Sequence, residues 1–132
     1  MGPTGEGDDV LAVKDETAER PIPTAWRPVY RQIVEALVRK DYRLEFGILG
    51  VQQVSAKTAA QIRDYIDGYG ANLVTLSEET WKSSVCIWMD PFWDVLLDLW
   101  TESEGRSDMV LSTRVREEEQ GYVFEIYMVY VP

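Results

Sequence analysis

From Thr24 to Asp41, apolar side chains recur at intervals of three and four, and Trp26, Val29, Tyr30, Ile33 and Leu37 share one face of a helix. Thr24 is placed to cap that helix, and Pro28 falls in its first turn, where a missing N–H is tolerated. The stretch Asp41 to Gly50 has mixed polarity and carries Gly47 and Gly50, so it predicts a connector. A second helix follows over Ala56 to Tyr69. Ser55 is its cap, Ala59, Ile62, Ile66 and Tyr69 are its apolar stripe, and Gly68 or Gly70 supplies the stop.

After Leu73 the hydrophobic period drops to two and the residues become β-branched and aromatic. Four strands are predicted, over Ser83 to Met89, Trp93 to Glu102, Asp108 to Arg116 and Tyr122 to Val131, and Leu73 to Leu76 allows a short fifth. The joints are Asp90-Pro91, Ser103-Glu104-Gly105-Arg106 and Glu119-Gln120-Gly121. Loops this short demand antiparallel neighbours, since a parallel pair needs a crossover of about a dozen residues. The pattern therefore predicts an α+β domain, with two N-terminal helices packed on one face of a four-stranded antiparallel meander sheet. Alternation turns Val95, Leu97, Leu99, Met109, Leu111, Val115, Phe124, Ile126 and Met128 toward the helices. The other face receives Asp94, Leu96, Asp98, Trp100, Arg114, Arg116, Glu125 and Tyr127, a mixture of acids and aromatics of the kind that partner-binding surfaces carry.

Residues 1–23 break the pattern. They hold three glycines, three prolines and six acids against Lys14 and Arg20, which predicts a disordered acidic tail ahead of a single domain over residues 24–132. The formal charge of the chain is 13 minus 23, or −10; the tail accounts for −4 and leaves −6 on the domain. A balance this acidic argues against nucleic acid as a partner, because Lys and Arg must replace condensed counterions there. At 132 residues the chain has room for one domain. It has no apolar run near the ~20 residues of a membrane span and no basic-then-apolar leader, so no membrane partner is expected and the expected location is the cytoplasm.

With no histidine and one cysteine, Cys86, the chain excludes His-based triads, zinc sites built from Cys and His, and disulfide frameworks. Cys86 lies between Val85 and Ile87 in the middle of a strand, where burial as a small hydrophobe is the ordinary outcome. Asp94 and Asp98 share a strand face but stand about 13 Å apart, too far for a glycosidase pair, and ion pairing with Arg114 and Arg116 is the ordinary role of such acids. The glycines form no phosphate-binding motif and no calcium loop is present. No catalytic residue, metal or cofactor is expected. Five tryptophans are many for this length, and Trp88, Trp93 and Trp100 fall within thirteen residues. Alternation puts Trp93 toward the core and Trp100 on the other face, so Trp88 and Trp100 become candidate interface anchors.

The strings Glu79-Thr80-Trp81, Ser83-Ser84-Val85-Cys86, Trp93-Asp94-Val95-Leu96-Leu97-Asp98-Leu99-Trp100-Thr101, Gly105-Arg106-Ser107-Asp108 and Val129-Tyr130-Val131-Pro132 together resemble a bacterial domain family of unknown function. The Trp26 to Asp41 helix resembles it too, so the likeness spans about Pro21 to Pro132. It implies no catalytic residue. In size, charge and architecture the chain is also similar to the immunity proteins that accompany polymorphic or contact-dependent toxins. The expected function is a protein-binding module, an immunity protein that neutralises a toxin stoichiometrically by covering a basic cleft. Asp94, Asp98, Trp100, Trp88, Glu125 and Tyr127 form its binding set. Two alternatives stay open: a small enzyme or ligand-binding domain using a helix–sheet cavity with Asp94, Asp98, Glu125 and Arg114, or a subunit that self-associates through Val129-Tyr130-Val131 at a sheet edge.

Overall fold

The computed structural model describes residues 9–132. A 3-10 turn over Thr24–Trp26 leads into helix α1, Arg27–Val38, which buries Tyr30, Ile33, Val34 and Leu37 and carries Pro28 in its first turn. The expected cap is displaced: the Thr24 hydroxyl accepts the Val10 amide at 2.8 Å, and α1 begins without a side-chain cap. Helix α2, Ala56–Tyr69, starts as its sequence predicts, with the Thr58 amide donating to Ser55 Oγ at 3.1 Å. It stops at Gly70, whose φ of 84° suits a residue without a Cβ.

Strands β2 (Val85–Trp88), β3 (Phe92–Thr101), β4 (Gly105–Glu118) and β5 (Gly121–Tyr130) form the antiparallel meander. The sheet has five strands rather than four. Strand β1, Leu73–Val74, pairs with Thr101 and Trp100 at the far end of β3, on the same edge that β2 occupies. The two are joined through a short helix, α3 (Thr80–Ser83), so Ser83 belongs to a helix and β2 begins at Val85.

Val95, Leu97, Leu99, Met109, Leu111 and Val115 are all 0% exposed and face the helices, as alternation predicts. Two bulges modify the rest. Ser107, Asp108 and Met109 lie opposite Leu99 alone, between the pairs Trp100–Arg106 and Asp98–Val110, which starts β4 at Gly105 rather than Asp108. Ser107 Oγ donates to the Leu99 carbonyl at 2.7 Å and accepts the Met109 amide at 3.1 Å, so both backbone groups stay paired. On β5, Tyr127 is extra between the pairs Thr113–Ile126 and Ser112–Met128. Alternation inverts there: Val129 enters the core, and Met128, expected in it, is 38% exposed.

Residues 9–23 are not the expected disordered tail. Arg20 and Cys86 exchange backbone hydrogen bonds along the free edge of β2, at 2.6 and 3.1 Å. Ile22 is fully buried with its amide on Ser84 Oγ at 2.9 Å, and the Trp93 indole N–H reaches the Val13 carbonyl at 2.9 Å. The physical reason is that an uncovered strand edge and an indole donor both require partners, and isolated anchors meet that need without any periodic pattern. Residues 1–8 of the expected tail lie outside the described residues.

The opposite edge is closed as well. The Phe124 amide and carbonyl pair with Gly50 and Gln52, and the Gln61 side chain takes both backbone groups of Val129, donating at 2.8 Å and accepting at 3.2 Å. The Val131 amide donates to the Tyr65 hydroxyl at 3.0 Å. These are the backbone groups that self-association through the last strand would use.

Candidate functional site

The face of the sheet turned away from the helices is assembled by strand alternation. Asp94 on β3, Arg114 on β4 and Glu125 on β5 stand in one cross-strand row. Arg114 Nε donates to Asp94 Oδ1 at 3.3 Å and its Nη1 donates to the Tyr127 hydroxyl at 3.0 Å. Its guanidinium also lies 4.3 Å from the ring centres of both Phe92 and Tyr127, so cation–π attraction and the Asp94 charge hold it together. Arg116 pairs with Glu125 at 3.1 Å and with Glu118 at 3.5 Å. Pairs this exposed add little stability, but they fix side chains that would otherwise move freely.

Asp98 continues the face. Its Oδ2 accepts the Ser83 hydroxyl at 2.5 Å, and its carbonyl accepts from Thr80 Oγ1 at 3.0 Å. Beside it, Arg106, Val110 and the terminal Val131-Pro132 border a shallow depression of about 490 Å³. Trp100 is half-buried on this face above Gly105, where a side chain would reach within 3.7 Å of the ring. Its indole N–H is buried without a partner.

Five of the six expected binding residues, Asp94, Asp98, Trp100, Glu125 and Tyr127, therefore share one face. Trp88 does not join them. It pairs across the β2–β3 hairpin with Trp93 and packs edge-to-face on it at 4.6 Å, on the helix side of the sheet, with the Lys14 ammonium 5.3 Å over its ring. The hairpin geometry decides this, because the Trp88–Trp93 pairing gives both residues the same orientation. Phe92 belongs to the site as well, and the signal for it in the sequence is its place two residues before Asp94, on the same face of β3.

The polar groups of the cavity alternative, Asp94, Asp98, Glu125 and Arg114, lie on this outer face. The space between the layers is filled by Trp93, Tyr30, Ile33, Leu97 and Leu111, each no more than 2% exposed. Cys86 is 5% exposed, and burial pushes its thiol up to about 12, which keeps it protonated and unreactive. Among the described residues no group of three or more His, Cys, Asp or Glu side chains could hold a metal ion, and no helix is long and apolar enough to cross a membrane.

A family model described as a domain of unknown function, DUF7668, matches residues 34–132, which is 99 of the 132 residues. No curated protein and no solved structure matches the chain. The matched span contains the whole sheet, while Ile22, Trp26, Tyr30 and Ile33, all at most 3% exposed, lie before it. In this chain the core thus extends past the matched span.

Proposed function

We propose that this chain, which belongs to the DUF7668 family, is a protein-binding module that uses its uncovered sheet face to neutralise a toxin by covering a basic surface on it. The observation that carries the reading is the ordered lattice of Phe92, Asp94, Arg114, Tyr127, Arg116 and Glu125 on a face that no helix covers. Side chains already held by one another lose little rotamer freedom when a partner arrives, which is where much of the cost of association lies. Arg, Tyr and Trp are also the residues that dominate interface energies.

Charge selects the kind of partner. Asp94, Asp98, Asp108, Glu118 and Glu125 stand against Arg106, Arg114 and Arg116, so five carboxylates face three guanidiniums and the surface carries −2 within a chain of −10. A basic cleft, such as that of a toxin acting on nucleic acid, would be drawn to it, with acids speeding the encounter and aromatics holding the complex.

The test is surface plasmon resonance at two salt concentrations against the product of the neighbouring reading frame. One-to-one binding is expected, with the association rate falling about tenfold for Asp94→Lys combined with Asp98→Lys, and the dissociation rate rising at least about tenfold for Trp100→Ala. Binding that none of these substitutions changes would overturn the assignment of the face. No binding by the unaltered chain would overturn the toxin reading for that neighbour.

A further inference from the structure

The connector between α1 and α2 presents two large apolar side chains almost entirely to water: Phe46 is 86% exposed and Leu49 is 97% exposed. The loop that carries them is held. Leu44 and Val54 anchor its ends in the core at 3% and 4% exposure, and the Asp41 carboxylate accepts the Glu45 amide at 2.9 Å. The Phe124 amide donates to the Gly50 carbonyl at 2.8 Å. Gly50 has a φ of 82°, and a Cβ there would lie 3.3 Å from the Tyr122 carbonyl, so the backbone is pressed against β5. A disordered loop can expose apolar residues in passing, whereas the backbone that carries these is tied down on both sides of them.

Leu49 forms one wall of a cleft of about 530 Å³, whose other walls are Trp26, Val29, Tyr122 and Phe124. The charged side chain in its lining is Glu118. Glu118 shares Arg116 with Glu125, so one guanidinium serves two carboxylates, and Glu119 follows it in the same hairpin. The cleft is therefore apolar and aromatic within and anionic at its rim.

We infer that this end of the molecule is a second protein-docking site, taking a partner segment that has a bulky apolar anchor flanked by lysine or arginine. The anchor lies against Leu49, Val29 and the exposed side of Tyr122, over a floor of Trp26 and Phe124 that is 3% and 4% exposed, and the flanking cation meets Glu118 and the Tyr122 ring. The site borders the sheet face at Glu118 but is otherwise distinct from it, because the cleft opens between the helix layer and the β4–β5 hairpin and uses none of Asp94, Asp98, Trp100 or Tyr127.

Amide chemical-shift mapping on the full chain tests it, with two synthetic peptides that share a Leu-Trp-Leu centre and carry lysines or glutamates on both sides. The lysine peptide is expected to shift the Gly50, Gln120, Gly121 and Tyr122 amides and to bind at least about tenfold more tightly than the glutamate peptide. Leu49→Ser and Glu118→Lys each weaken it about tenfold while the other amides keep their positions, and Trp100→Ala leaves its affinity unchanged. Equal affinity for the two peptides, shifts confined to the sheet face, no shift at millimolar peptide, or concentration-dependent shifts in the chain alone would each overturn the inference.

Discussion

Replacing Ile22 by alanine separates a packed N-terminal segment from a disordered one. Ile22 is 0% exposed, 62 residues in sequence from the Ser84 hydroxyl that holds its amide, and it belongs to the same buried cluster as Trp26 and Cys86. Truncating a fully buried isoleucine removes its transfer free energy and leaves a cavity, together about 2–5 kcal/mol. Leu11→Ala is the control, since Leu11 is 74% exposed and its loss costs under about 0.5 kcal/mol. Urea titration followed by tryptophan fluorescence reads both variants. An unchanged m-value with a midpoint lowered by about 1–3 M follows from the usual slopes for a domain of this size. Equal, near-zero effects for the two variants would show that residues before Pro23 contribute nothing to the fold.

Gln61→Ala leaves both outward backbone groups of Val129 without their partner, so a loss of about 1–2 kcal/mol and concentration-dependent self-association in sedimentation velocity are expected. A variant that stays monomeric with unchanged stability would show that the edge needs no cover. The Cys86 thiol, pushed up to about 12 in the folded chain, ionises first in the unfolded chain near its ordinary 9.0. The folded state then binds the extra proton, so stability falls as pH rises from about 9 toward 12, by on the order of 1 kcal/mol at pH 10. Cys86→Ala should remove that part of the slope in urea titrations at pH 8 and 10, and an identical slope would refute the burial argument.

How much of this was legible in the sequence depended on whether the signal was periodic. The α1 and α2 stripes and the alternation of β3 are periodic, and the structure keeps their faces. A bulge adds one or two residues without altering composition, so the extra Tyr127 and the crowding of Ser107 to Met109 opposite Leu99 left no trace in the pattern. The extra Tyr127 alone turns Met128 outward, against the alternation of the sequence. Ile22 sits between two prolines and Val13 ends a run of four apolar residues too short for a period, and their partners Ser84 and Trp93 are 62 and 80 residues away, so no local window could connect them. The candidate face was legible within β3 to β5, where the strands are long. For Trp88, parity along β2 sets it on the face of Cys86, whose burial the sequence predicts, so its expected role as an outer-face anchor conflicts with the strand's own alternation.

The closure of the edges bears on how any partner must be recognised. Arg20 covers Cys86 on one side of the sheet, while Gly50, Gln52, Gln61 and Tyr65 take backbone groups of β5 and the residue after it on the other. A ligand strand that extended the sheet at these positions would first have to displace those groups, and its main-chain hydrogen bonds would only replace ones already made. Recognition is left to side chains, on the outer face and at the loop–hairpin cleft. Side-chain readout is sensitive to single substitutions in a way that strand addition is not, since main-chain pairing tolerates most sequences. A partner specific to this chain should therefore lose affinity on changes at Trp100, Arg114 or Leu49 that leave the backbone untouched.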